Sequence, residues 1–177
     1  DVERSRGLGD VYKRQVEHRG TRIVASGDYK RTADATSEPF EPVPCDVFIT
    51  EATFGLPVFR HPSGRHEIGR LLESLRQFPE RAHVVGAYAL GKAQRVIRMI
   101  RDEGYDAPIY IHGALVRLCE YYAQEGIDLG PLLPATLGKG QKGEFAGAIV
   151  VGPPSAFADR WAPVSYTHLT LPTNREV

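Results

Sequence analysis

The sequence predicts an α/β protein built on a mainly parallel sheet covered by helices. Three observations carry that expectation. Short apolar, β-branched runs alternate with helix-periodic segments through the second half of the chain, the pattern that gives βαβ units. Gly and Pro punctuate those segments, giving each a start and a stop. In the first half, Arg22-Ile23-Val24-Ala25 and Asp46-Val47-Phe48-Ile49 are strand-like runs, and each leads into a turn with one acid, Asp28 and Glu51.

Taken in order, the stretch from Val16 to Gly55 reads as strand, acidic turn, polar loop, strand and acidic turn. The loop 31–44 holds Pro39, Pro42 and Pro44 and reads as an irregular surface connection. Residues 56–64, with Pro57, Pro62 and Gly64, mark the expected boundary. His66 to Gln77 then places Ile68, Leu71, Leu72 and Leu75 on one helical face, and Pro79 ends it. His83 to Tyr88 reads as a buried strand. Lys92 to Glu103 repeats the helical period through Ala93, Val96, Ile97 and Ile100, stopping at Gly104. A strand over Pro108 to Ile111 and a helix over Ala114 to Gln124 follow, with Leu115, Leu118, Cys119 and Tyr122 inward and Gly126 as the stop. Phe145 to Val151 reads as a last apolar strand closed by Gly152-Pro153-Pro154.

Composition bounds the function classes. A chain of 177 residues with 42% hydrophobic and 25% charged side chains is ordinary globular material for one domain or one and a half. Lys plus Arg and Asp plus Glu are both 22, so any face that binds nucleic acid must be local. Cys45 and Cys119 lie far apart and form no C-x2-C pair, which predicts buried thiols in a reducing, cytoplasmic setting. No apolar run approaches the ~20 residues that span a bilayer, so no membrane partner is expected.

Several residues are candidates for chemistry. Asp28 and Glu51 follow strands, where open α/β sheets gather ligands; two carboxylates on one edge could hold metal or move protons. An acid in that position also serves as a turn former or helix cap. Gly86-x-x-x-x-Gly91-Lys92-Ala93 has the spacing of a phosphate loop, but Ala93 lacks the hydroxyl that holds Mg²⁺, which excludes ATP hydrolysis. A milder reading keeps Lys92 and the helix amides as contacts to a nucleic-acid phosphate. His112 follows a strand at the same sheet edge, and Tyr29 and Lys30 adjoin Asp28; all three could face substrate. Arg95, Arg98 and Arg101 are spaced as a basic stripe or a solvated helix face.

Ser26-Gly27-Asp28-Tyr29-Lys30-Arg31 and Phe48-Ile49-Thr50-Glu51-Ala52-Thr53-Phe54-Gly55 resemble consecutive signatures of metallo-β-lactamase-fold nucleases of the β-CASP branch. The likeness is greatest to the bacterial ligase-associated DNA exonucleases. It continues through Gly86 to Arg95, Ile111-His112-Gly113-Ala114 and Pro153-Pro154-Ser155-Ala156. The resemblance implies the end of a metallo-β-lactamase αββα sandwich over 16–56 and a partial β-CASP domain over 57–163. It implies a two-metal zinc centre with Asp28 as a bridging ligand and Glu51 in a catalytic supporting role. DNA would be the substrate and an ATP-dependent DNA ligase the functional associate. RNA-processing β-CASP ribonucleases are the alternative within the family, and a non-catalytic Rossmann-like phospholigand module is the alternative outside it. The family's His-x-His-x-Asp-His cluster is missing, so the chain reads as the middle of a longer protein, inactive by itself. Residues 1–15 and 164–177 resemble translated adapter sequence and are expected to form no clear element.

Overall fold

The computed structural model describes residues 14–27, 29, 31–50, 58, 62–135, 145–158 and 166–170. It divides into two compact units, Asp1–His61 with Thr173–Val177, and Pro62–Pro172.

In the first unit, β1 (Arg14–His18), β2 (Thr21–Ala25) and β3 (Val47–Ile49) form a sheet in that order. Arg19 and Gly20 join β1 to β2 with φ of 49° and 78°, the paired left-handed conformation of a type I′ hairpin turn. The hairpin was not expected, because β1 begins inside the 1–15 segment: Arg14 pairs with Ala25 and Gln15 with Val24. Strands β2 and β3 are parallel, with Ala25 opposite Ile49. Asp46 holds the start of β3 in place by accepting from the Arg22 amide at 2.7 Å, and the Ser26 amide closes the other end on the Ile49 carbonyl at 2.9 Å.

The second unit is a five-stranded sheet in the order β6-β5-β7-β4-β8, every pair parallel. Its strands are β4 (Ala82–Gly86), β5 (Ile109–Ile111), β6 (Leu132–Pro134), β7 (Ile149–Gly152) and β8 (Tyr166–Thr170). All residues of β4 and β7 are buried, which explains why both read as continuous apolar runs rather than alternating ones. The helices are α1 (Gly64–Gln77), α2 (Lys92–Asp102), α3 (Gly113–Gln124) and α4 (Pro154–Ala158). Ile68 and Leu71 of α1, Ala93, Val96, Ile97 and Ile100 of α2, and Leu115, Cys119 and Tyr122 of α3 pack with Val85, Ile109, Ile111, Ile149 and Val151. Phe157 of α4 packs with Ala82, Val84 and Val150, the alternate residues of the same strands. Two sides of one sheet are therefore covered. Progress from β4 to β5 to β6 runs toward one edge and from β7 to β8 toward the other. Crossovers of one hand then put α2 and α3 on one face and α4 on the opposite face.

Gly104 and Gly126, at φ of 83° and 85°, stop α2 and α3 as the sequence predicts. In each case the amide after the glycine bonds back to the last turn: Tyr105 to the Ile100 carbonyl at 3.3 Å, Ile127 to the Tyr122 carbonyl at 3.0 Å. Ser63 caps α1 by accepting from the His66 amide at 3.2 Å. Some expectations are corrected. Leu118 is half-buried rather than inward, and Phe145 to Gly147 form a turn, so the last apolar strand starts only at Ile149. Tyr166–Thr170 is a strand where no element was expected, because the wholly buried β4 takes a partner on each side. Cys45 is half-buried, while Cys119 is buried as predicted, and burial pushes its thiol pKa up.

Candidate functional site

All five strands of the second unit point the same way, so their carboxyl ends form one edge. There β4 and β7 lie side by side with Gly86 opposite Gly152, while their connections leave in opposite directions. That is the switch point where open α/β sheets bind ligands. Two amides stitch it: Ala87 donates to the Gly152 carbonyl at 2.9 Å and His112 to the Val151 carbonyl at 2.8 Å. The approach is close. A Cβ on Gly152 would lie 3.0 Å from the Cβ of His112 and 3.0 Å from Phe157.

The structure brings two of the sequence candidates to this edge, Lys92 after β4 and His112 after β5. Lys92 opens α2 and is half-buried. Burial, and secondarily the charge of Arg95, holds its ammonium pKa below the usual lysine value. His112 is the N-cap of α3. Its Nδ1 accepts from the Ala114 amide at 3.1 Å, which leaves the ring proton on Nε2. The strand-end position was legible in the sequence; the helix-cap role was not.

The amide cradle considered for a phosphate is largely filled. The Lys92 amide donates to the Leu90 carbonyl at 2.9 Å and the Ala93 amide to the Tyr88 carbonyl at 3.1 Å. What remains for an anion is side-chain charge.

Neither reading of the arginines of α2, basic stripe or solvated face, describes Arg98 and Arg101. Arg101 spends its guanidinium on the carbonyls of Tyr105, Ala107, Leu129 and Pro131 at 2.6–3.0 Å. Arg98 donates to the Asp128 carbonyl at 3.0 Å and pairs with Asp102 at 2.6 Å. Both tie helix to loop, because a planar guanidinium matches a row of carbonyls better than it matches solvent.

Tyr29 belongs to the first unit, where its ring stacks on Phe40 at 4.8 Å and meets Phe48 edge-on at 5.9 Å. The ring is half-buried in that packing. Asp28, Lys30 and Glu51 lie outside the described residues. The strands that lead to Asp28 and Glu51 are adjacent and parallel, with their ends aligned at Ala25 and Ile49. For the expected zinc centre, no group of three His, Cys, Asp or Glu converges among the described residues, so these residues do not by themselves fit the metal. A cavity of about 580 Å³ lies along α3 and β6, lined by Val116, Cys119, Leu129 and Leu132 among others; neither Lys92 nor His112 borders it. No helix among the described residues is long and apolar enough to cross a membrane.

No protein-family model matches the chain. It is 26% identical over 110 residues to "Probable RNase MJ4" of Methanocaldococcus jannaschii, covering 61% of this chain and 23% of that protein. It is 29% identical over 119 residues to "Endoribonuclease YSH1" of Candida glabrata, covering 59% of this chain and 15% of that protein. The chain thus spans less than a quarter of either relative, and what it is similar to is one part of two proteins named as ribonucleases.

Proposed function

We propose that the chain is part of a metal-dependent β-CASP nuclease that acts on RNA, and that its parallel-sheet unit guides the strand. The observation that carries this reading is the similarity to two proteins whose names specify RNA cleavage. The DNA exonuclease activity and the ATP-dependent DNA ligase partner implied by the sequence resemblance have no counterpart in those names. The RNA alternative therefore takes precedence. In this reading Lys92 and His112, at the carboxyl edge of the sheet, meet backbone phosphates, which position a strand without reading its sequence. Asp28 and Glu51, beyond the aligned ends of β2 and β3, serve as metal ligand and catalytic support. Zinc belongs to the reading through Asp28 alone. A cytoplasmic setting suits the two free thiols, Cys45 and Cys119.

The deciding experiment is a competition between single-stranded RNA and DNA oligonucleotides of one sequence for the full chain, read by fluorescence anisotropy. Tighter binding of RNA is expected. Preference for DNA would restore the exonuclease reading, and no binding of either would remove the nuclease reading. Incubated with zinc, the chain by itself should leave labelled RNA intact, because Asp28 has no His-x-His-x-Asp-His cluster beside it in the sequence. Cleavage that disappears in Asp28→Ala would overturn that expectation.

A further inference from the structure

Tyr88 and Leu90, 65% and 63% exposed, sit on the same short loop between β4 and α2. Single exposed apolar residues are ordinary, but two on one loop at a ligand-binding edge are a patch. The loop is firmly held. Besides the Ala87, Lys92 and Ala93 amide bonds, the side-chain amide of Gln94 donates to the Ala89 carbonyl at 3.0 Å. Gln94 is 0% exposed, so this tie to the loop is anchored from within the core. The result is an aromatic ring displayed to solvent on a pre-shaped backbone.

Lys92 and Arg95 occupy the first turn of α2, and that turn holds no acid. Cations there oppose the helix dipole, so helix stability does not account for them. Positive charge next to an exposed π face matches a polyanion with open base faces. Single-stranded nucleic acid has both features; a duplex buries its base faces in its own stack. Charge complementarity therefore favours a nucleic-acid strand over another apolar protein surface.

We propose that Tyr88, flanked by Leu90, is a stacking platform for an unpaired base, with Lys92 and Arg95 drawing the adjoining phosphates. This deepens the RNA reading above and rests on it, naming single-stranded rather than paired substrate and adding a binding residue. Because Tyr88 is exposed, its replacement leaves the core untouched.

The test uses the full chain and a labelled uridine-rich single strand, with the same strand annealed to its complement as control. The single strand should bind more tightly than the duplex. Tyr88→Ala should weaken single-strand binding on the order of tenfold, and Tyr88→Phe should keep it within about twofold, because stacking needs the ring and not the hydroxyl. Lys92→Ala should instead lower the slope of log affinity against log salt by roughly 0.7, the signature of one lost phosphate contact to a single strand. If the wild-type chain binds no strand, both the RNA reading and this inference fall. If it binds, Lys92→Ala weakens it and Tyr88→Ala does not, the RNA reading stands and the platform is overturned. Concentration-dependent self-association that vanishes in Tyr88→Ala, with RNA binding unchanged, would assign the patch to a second copy and overturn the proposal as well.

Discussion

His83 lies in the middle of the buried sheet, 0% exposed, with Nε2 3.0 Å from the Ser74 hydroxyl. Burial lowers its pKa, because an imidazolium there would be poorly solvated. The folded value thus lies below the unfolded value of about 6.5. Its contribution to stability is fully present above the unfolded value and is lost as pH falls toward the folded one. Denaturant midpoints are therefore expected to drop between roughly pH 7.5 and 5.5, and His83→Leu should remove most of that slope. An equally steep acid slope in His83→Leu would show that other groups cause it. At neutral pH, Ser74→Ala should cost on the order of 1–3 kcal/mol, since it removes the hydroxyl that meets a buried ring nitrogen. The sequence placed His83 in a buried strand but did not show its partner, because Ser74 is a helix residue that folding brings beside it. Lys92 and His112 were legible for the opposite reason. Each adjoins an apolar strand end, and in a parallel sheet all such ends share one edge. The packing of Tyr29 was hidden, because Phe40 and Phe48 approach it only after the polar loop has folded back.

Helix α2 shows how an element can be anchored from both ends of its neighbours. Arg101 reaches carbonyls of Tyr105 and Ala107 ahead of β5, and of Leu129 and Pro131 ahead of β6, so one guanidinium fixes two strand entries. Lysine keeps the charge but offers a point donor instead of a fork. Arg101→Ala is expected to destabilise the second unit by about 2–4 kcal/mol, and Arg101→Lys to recover less than half of that. Thermal unfolding measures the loss, and faster amide exchange at Ile109 and Leu132 would localise it. A lysine variant as stable as the parent would mean that charge alone suffices. The sequence announced the helices and the buried strands because period and composition agree over ten or more residues, or over an unbroken β-branched run. It did not announce β6 or α4, which are only 3 and 5 residues long and begin or end at proline. The equally short β3 and β5 were legible because each is an unbroken β-branched or aromatic run, which β6 and α4 are not.

The two compact units differ sharply in how much they bury. The second holds two apolar clusters around a sheet whose central strands are wholly covered. In the first, Val24 is the only buried apolar side chain among the described residues, while Val16, Ile23, Val47, Phe48 and Ile49 are 37–58% exposed. Burying one valine is worth roughly 1.5–3 kcal/mol. Ordering each backbone residue costs about 1–2 kcal/mol. On those magnitudes the described strands of the first unit are the more weakly held of the two sheets. Unfolding should accordingly take two steps, with the first unit opening at lower denaturant. Hydrogen exchange followed by mass spectrometry should show residues 14–50 exchanging early and the amides of β4 and β7 last. A single cooperative transition, with both units protected alike, would mean that the first unit draws its stability from the second, and that the division into two bodies is geometric and not energetic.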